Sequence, residues 1–231
     1  MLTASSILYE DNHLLVLNKE PGLLTQPVPD DDRDSLEDMA KVYLKEVYGK
    51  PGRVFLHAVH RIDRQVSGLV IFARTDKALS RLNQAMREKL ITKIYHALVE
   101  GEMAGRPGQT VHLKNHLAHR DHFAEVVPQA TADSREATLS YRVLHSGRGL
   151  SLLEIHLDTG RYHQIRAQLA FAGHPVLGDR KYGSEAILSH PSAIGLHSRN
   201  ARFPHPVRPE TLDLVADYPP FWPDLYPGLP G

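Results

Sequence analysis

The sequence predicts an α+β fold, a mixed, mainly antiparallel central sheet with flanking helices. Three observations carry that expectation. Short apolar runs of strand length recur along the chain, a few stretches space their apolar residues at helical intervals, and the two kinds do not alternate as a doubly wound fold requires. The 231 residues are 42% hydrophobic and 23% charged, an ordinary globular balance with enough chain to bury a substantial core. No internal repeat, low-complexity run or linker divides it, so a single domain over residues 1–231 is expected.

Ile7–Tyr9 and Leu14–Leu17 read as two short strands around a turn at Asp11-Asn12, and Pro21-Gly22 ends the second. Residues 27–34 form a polar loop rich in Pro and Asp. Ser35 with Asp38 three residues on marks a helix start, because a serine oxygen caps free amides there. Leu36, Met39, Ala40, Tyr43 and Val47 follow at helical spacing, with Gly49 as a stop. Gly68–Ala73 is a continuous apolar run suited to a buried strand. Asp76–Leu90 is an amphipathic helix with Leu79, Leu82, Met86 and Leu90 on one side. Ile94–Val99 returns as a strand, whereas residues 105–134 read as an irregular, histidine-rich insertion. Ala137–Leu144 and Leu152–Leu157 are further strands. Tyr162–Phe171 is a helix with Tyr162, Ile165 and Leu169 inward, closed by Gly173 and Pro175.

Several function classes drop out on composition. Without cysteine there is no disulfide framework, zinc-thiolate site or thiol nucleophile. No run approaches the ~20 apolar residues of a spanning helix, and the start lacks a secretory pattern, so a cytoplasmic protein with no membrane partner is expected. The net charge is zero, 27 basic against 27 acidic residues. Its distribution is uneven. Between Arg61 and Lys93 eight basic residues face three acidic ones, and between Thr159 and Arg208 seven face two. Residues 30–38 carry six acids and one Arg, and residues 209–231 four acids and no base. A polyanion could meet basic faces on this neutral chain, although solvated surface charge explains such segments as readily.

Three segments carry chemistry. In His60-Arg61-Ile62-Asp63-Arg64-Gln65-Val66-Ser67-Gly68, Asp63 precedes the buried strand and stands between two arginines that favour its ionised form. An ionised carboxylate in a cleft serves as nucleophile or base; read alone, a loop aspartate in a salt bridge is the plainer reading. In Thr159-Gly160-Arg161-Tyr162-His163-Gln164-Ile165-Arg166, Arg166 falls beside the apolar side of its helix. A guanidinium near a core needs an anionic partner, for which Asp63 is the natural candidate, or else packs its stem flat on the surface. In Lys93-Ile94-Tyr95-His96-Ala97, residues 93, 95 and 97 share one strand face. Tyr95 there either stacks on a base and handles a proton or is plain core.

Together these segments resemble the pseudouridine synthases of the RluA family. The His-Arg-hydrophobic-Asp…Ser-Gly pattern stands at His60–Gly68, Lys-x-Tyr at Lys93–Tyr95, and Gly-Arg-x-His-Gln-Ile-Arg at Gly160–Arg166. The likeness continues through Gly173-His174-Pro175-Val176-Leu177-Gly178-Asp179, Tyr182-Gly183, Leu196-His197 and Phe203-Pro204-His205-Pro206, and includes Ile7–Asp11 and Asn18–Gly22 near the start. Five motifs in order make it specific.

The resemblance implies one catalytic domain that isomerises chosen uridines in structured RNA, transfer or ribosomal, with the target base flipped out. It implies Asp63 as the catalytic carboxylate, Arg166 as its paired guanidinium, Tyr95 as the residue that stacks near the base and assists proton transfer, and Arg61 as the residue that holds the helix open. His60, Lys93, Arg161 and His163 are the further expected RNA-binding positions. The reaction neither gains nor loses atoms, so no cofactor is expected, and no obligate protein partner is implied. Glu20 replaces a common Pro, and Gln65 and Val66 stand where Thr is common. Some members carry an extra N-terminal S4 RNA-binding module; the catalytic pattern here begins within ten residues of the start, so none is expected. Two other classes compete. A non-catalytic RNA-binding module would need the basic faces but not Asp63, Tyr95 and Arg166. A metallohydrolase would draw on His112, His116, His119 and His122, which lack a carboxylate pair to complete a ligand set, so no metal site is expected.

Overall fold

A computed structural model of the chain describes residues 2, 4–103 and 109–222. In chain order its elements are β1 (Ile7–Glu10), β2 (Leu14–Lys19), α1 (Leu36–Val47), β3 (His57–Ala58), β4 (Ser67–Ala73), α2 (Asp76–Arg87) and β5 (Thr92–Glu100). β6 (Thr110–Arg120), β7 (Phe123–Val127), β8 (Ser134–Gly147), β9 (Leu150–Leu157), α3 (Gln164–Phe171), β10 (Leu196–Pro204) and β11 (Thr211–Val215) follow. The pairs β1–β2, β2–β4, β3–β4, β10–β11, β5–β9, β6–β7, β6–β8 and β8–β9 are antiparallel, and the fold class is the predicted α+β. The described residues fall into two compact units, one reaching to Lys93 and resuming at Ser198, the other Ile94–His197.

In the first unit the strands lie in the order β1-β2-β4-β10, with β11 on β10 and β3 on β4. β4 is buried at every residue, as its unbroken apolar run predicts. Leu14, Val16, Leu69 and Ile71 from β2 and β4 meet Ala78 and Leu82 of α2 and Phe203 of β10 in one core. Ser35 caps α1 as expected, its side chain accepting from the Asp38 amide. Leu44, not Val47, completes the buried stripe of α1, and Val47 is exposed. α2 stops at Arg87, three residues before the predicted end. Lys89 takes a left-handed φ of 57°, which turns Leu90 out to solvent.

In the second unit the order is β5-β9-β8-β6-β7, with α3 against β6 and β7. The segment expected to be irregular instead forms β6 and β7, a hairpin turned at Asp121 with φ 38°. Residues 105–108 of that segment lie outside the described residues. Leu117, Ala124, Ala137 and Ala167 form the core beneath the hairpin. β8 is longer than predicted because it pairs with β6 on one side and β9 on the other, accommodating an irregularity near Val143 and His145.

A carboxylate loop and a buried guanidinium

The loop between β3 and β4 carries Asp63, half-buried, between exposed Arg61 and buried Ile62 on one side and Arg64 on the other. Its backbone is tied down at four points within the first unit. Thr25 Oγ1 donates to the Ile62 carbonyl at 2.9 Å and accepts from the Ile62 amide at 3.2 Å. The Arg64 carbonyl receives the Gly22 amide at 2.7 Å and Lys19 Nζ at 3.1 Å. The Val66 amide donates to the Asp63 carbonyl at 3.0 Å, closing a turn. His60 Nε2 accepts from the Ile71 amide of β4 at 3.3 Å, fastening the start of the loop to the sheet.

Lys19 is 1% exposed, and its ammonium also donates to the carbonyls of Glu20 and Leu23, both at 2.9 Å. Burial pushes it down to about 7, while the negative charges of Asp63 and Glu20 pull the other way. Three carbonyls for three N–H groups is the inventory an ammonium satisfies. His60 is also enclosed; burial, with a smaller push from the positive charge of Lys93, holds it well below the ordinary histidine range. A neutral ring with Nε2 as acceptor places its hydrogen on Nδ1. Lys93, at the end of this unit, is lowered by burial as well.

In the second unit Tyr95 is buried in β5 opposite Ile155 of β9. Arg166 on α3 is 2% exposed and forms a bidentate pair with Asp179: Nε to Oδ2 at 2.6 Å and Nη2 to Oδ1 at 2.9 Å. Its guanidinium lies 5.0 Å over the Tyr182 ring. Tyr182 Oη accepts the Ala124 amide of β7 at 2.7 Å and is 3.0 Å from His163 Nδ1. Asp179 and Tyr182 were quoted in the sequence motifs without a role; the structure gives them one as the anchors of Arg166.

The helix that carries Arg166 begins at Gln164, two residues later than predicted. His163 precedes it in the left-handed region, with φ 50°, so Tyr162 leaves the helix and is 45% exposed rather than inward. Strain of that kind gathers at functional positions. Gln164 holds the preceding loop, its Oε1 accepting from Thr159 Oγ1 at 2.8 Å and the Arg161 amide at 3.0 Å. Arg161 is exposed and its Nε donates to the Glu136 carbonyl. Of the expected RNA-binding positions, Arg61 and Arg161 are therefore at the surface, whereas His60 and His163 are buried. Of the four histidines a metallohydrolase would draw on, His112, His116 and His119 lie on a strand rather than a helix. His112 and His116 share one face of β6 and His119 points to the other, and among the described residues no group of three or more acidic or histidine side chains is arranged to hold an ion.

The family profile described as RNA pseudouridylate synthase matches residues 13–171, a span that includes the Asp63 loop, β5 and α3. The chain belongs to the RNA pseudouridine synthases. The synthase is 33% identical over 215 residues to the uncharacterised RNA pseudouridine synthase YhcT of Bacillus subtilis, covering 92% of this chain and 68% of that one. It is 31% identical over 225 residues to the ribosomal large subunit pseudouridine synthase D of Yersinia pestis, covering 92% and 67%. The fold of the synthase superposes on that of human RNA pseudouridylate synthase domain containing 4 with a TM-score of 0.75, at 24% identity over 94% of this chain and 90% of that one. Among its described residues no helix is long and apolar enough to cross a membrane.

Proposed function

We propose that this synthase converts uridine to pseudouridine in structured RNA, ribosomal or transfer, in the cytoplasm and without a cofactor, and that Asp63 is the reacting carboxylate. The observation that carries the assignment to Asp63 is the fixation of its loop. A carboxylate on a surface loop ordinarily moves with solvent, but here the residues on both sides are bonded through their own peptide groups to Lys19, Gly22 and Thr25. Such pre-organisation is what positional catalysis needs. Ribosomal RNA is favoured by the likeness to the Yersinia pestis enzyme; compact stem-loops of transfer RNA remain in the proposal.

In the reaction the bond from ribose to the ring nitrogen breaks, the uracil turns, and ring carbon 5 joins the ribose. The hydrogen of carbon 5 leaves as a proton and the former glycosidic nitrogen gains one, so the atoms balance. Asp63 either attacks the sugar or removes its proton as the base departs as an anion. The target must first leave its stack, at a cost of roughly a few kcal/mol. Arg61, exposed and two residues from Asp63, is assigned to the space the base vacates. Tyr95 is assigned to the base and its proton transfer, and Arg166 to electrostatic support. Lys93, Arg161, His60 and His163 are assigned to holding RNA or the groups that meet it.

The test is pseudouridine mapping at single-nucleotide resolution on RNA from matched cells with and without the gene. One or a few sites should vanish, and an Asp63→Asn copy should bind RNA as before but fail to restore them. Restoration by Asp63→Asn would instead make the protein an RNA-binding module that needs no carboxylate.

A further inference from the structure

We propose that Thr25 is a positioning residue for this reaction: its hydroxyl fixes both main-chain groups of Ile62 and thereby sets where the Asp63 carboxylate stands. The proposal rests on the reading of Asp63 as the reacting group. Thr25 is 37 residues from Ile62 in sequence and touches no reacting atom by any role given to it above. Its side chain is buried, 4% exposed, and makes a two-way bond, donating to the Ile62 carbonyl at 2.9 Å and accepting from the Ile62 amide at 3.2 Å. One hydroxyl can do both because it carries one hydrogen and two lone pairs.

The hydroxyl is itself held by regular structure. The Glu37 amide donates to the Thr25 carbonyl at 3.2 Å, and the Leu36 amide to the Leu24 carbonyl at 2.8 Å. Those amides belong to the first turn of α1, where no intrahelical acceptor exists for them. The helix therefore ends on the Leu24-Thr25 peptides, and Thr25 passes that fixed position to Ile62. A second link runs in parallel. Glu37, 4% exposed, accepts the Ala58 amide of β3 through Oε2 at 3.2 Å. The start of α1 thus grips the Asp63 loop before and at residue 62, while Lys19 and Gly22 hold residue 64.

Removing the hydroxyl alone should let the peptide before Asp63 rotate. Valine fills nearly the same space, but the buried Ile62 amide and carbonyl would then lack a partner, and they would turn to find one. A displacement of about 1 Å at a reacting group costs on the order of 100-fold in rate. RNA is held by exposed cations rather than by these peptide groups, so its binding should change little.

The experiment measures tritium release from RNA labelled at uracil carbon 5, with wild-type, Thr25→Val, Thr25→Ser and Asp63→Asn proteins, well below each variant's melting temperature. Thr25→Val should lose roughly 10- to 100-fold in kcat with KM within about twofold, and Thr25→Ser should keep most of the wild-type rate. A purely structural Thr25 would lower the melting temperature and leave kcat alone. Should Thr25→Val fail to fold, Thr25→Cys, which keeps the size with a weaker donor and acceptor, carries the same expectation. Turnover in the wild type, its loss in Asp63→Asn and full kcat without the hydroxyl would overturn the positioning role alone. So would an equal loss in the serine variant. Absence of turnover in the wild type would overturn the functional reading and this proposal together.

Discussion

At the scale of single residues, the chain keeps two ionisable side chains, Lys19 and His60, in places where their charge is costly, and uses both as backbone anchors. His60 is the clearer case for a measurable consequence. Its Nε2 accepts from the Ile71 amide, so a proton there would set two N–H groups against each other. Burial holds the folded-state value well below 6.5, whereas in the unfolded chain the ring titrates near that value. As pH falls through about 6.5 the unfolded chain takes up a proton that the folded chain refuses, and stability is lost by up to about 1.4 kcal/mol per pH unit. Urea unfolding at pH 7.5 and 5.5 should show a larger acid loss for the wild type than for His60→Gln, whose amide oxygen accepts without titrating. Equal losses would mean that His60 is protonated in the fold. These anchors also mark what the sequence could and could not reveal. The place of Asp63, on a loop just ahead of a buried strand, was legible because its neighbours are local, two arginines, a Ser-Gly pair and an apolar run, whereas its role comes from the family resemblance. The partner of Arg166 within its unit was not. Asp179 stands 13 residues beyond it, past a helix end and a turn, and nothing in the spacing selects it. Thr25 was invisible for the same reason, its one hydroxyl meeting a peptide group that has no identity in sequence.

At the scale of elements, strands with one uninterrupted character were read well and those with mixed character were not. β4 is apolar throughout and was predicted to within a residue. β6 alternates, with Thr110, His112 and Lys114 exposed and Val111, Leu113 and Asn115 partly covered, which is a period of two written largely in histidine and other polar residues. That pattern was read as irregular because, Thr110 apart, its outer face carries no usual strand former. The late start of α3 has a different cause: the left-handed turn at His163 is imposed by the contacts of Gln164 and His163, which helical spacing does not register. Gly68 opens the predicted strand and lies inside β4, just after the turn at Arg64 and Gln65. With φ at 109°, a Cβ there would stand 2.3 Å from the Ser198 carbonyl oxygen and 2.7 Å from its nitrogen, both backbone atoms of β10. Backbone cannot swing aside as a side chain can. Gly68→Ala should therefore cost roughly 3 kcal/mol or more, from the left-handed strain and the forced separation of β4 from β10. A free energy of urea unfolding within about 1 kcal/mol of the wild type, roughly the scatter of such data, would show that the two strands can part cheaply.

At the scale of the whole molecule, the puzzle is a nucleic-acid enzyme with no net charge. Fields of equal positive and negative charge cancel beyond the Debye length, about 8–10 Å at ordinary ionic strength, so the protein gains little long-range steering toward RNA. Contact-range attraction survives the cancellation, because the acids are gathered elsewhere in sequence: residues 30–38 hold six of them, and Asp31 already engages Arg33. Arg61 in the first unit and Arg161 in the second are exposed and lie in the basic stretches. Affinity should then depend on salt although the molecule as a whole is neutral. A footprint in which three or four cations displace counterions gives a slope of log K against log salt of roughly −2 to −4, or on the order of 20- to 200-fold between 50 and 200 mM. Replacing Arg61 or Arg161 by Gln should reduce that slope by about 1 each and weaken binding to all RNA sequences alike, since phosphate contacts carry no sequence information. Fluorescence anisotropy with a target stem-loop and a scrambled one, across that salt range, separates the alternatives. A slope near zero would place recognition in base stacking and hydrogen bonds. A slope left unchanged in both variants would move the phosphate footprint to other cations. A change confined to the target sequence would make the arginines readers of bases.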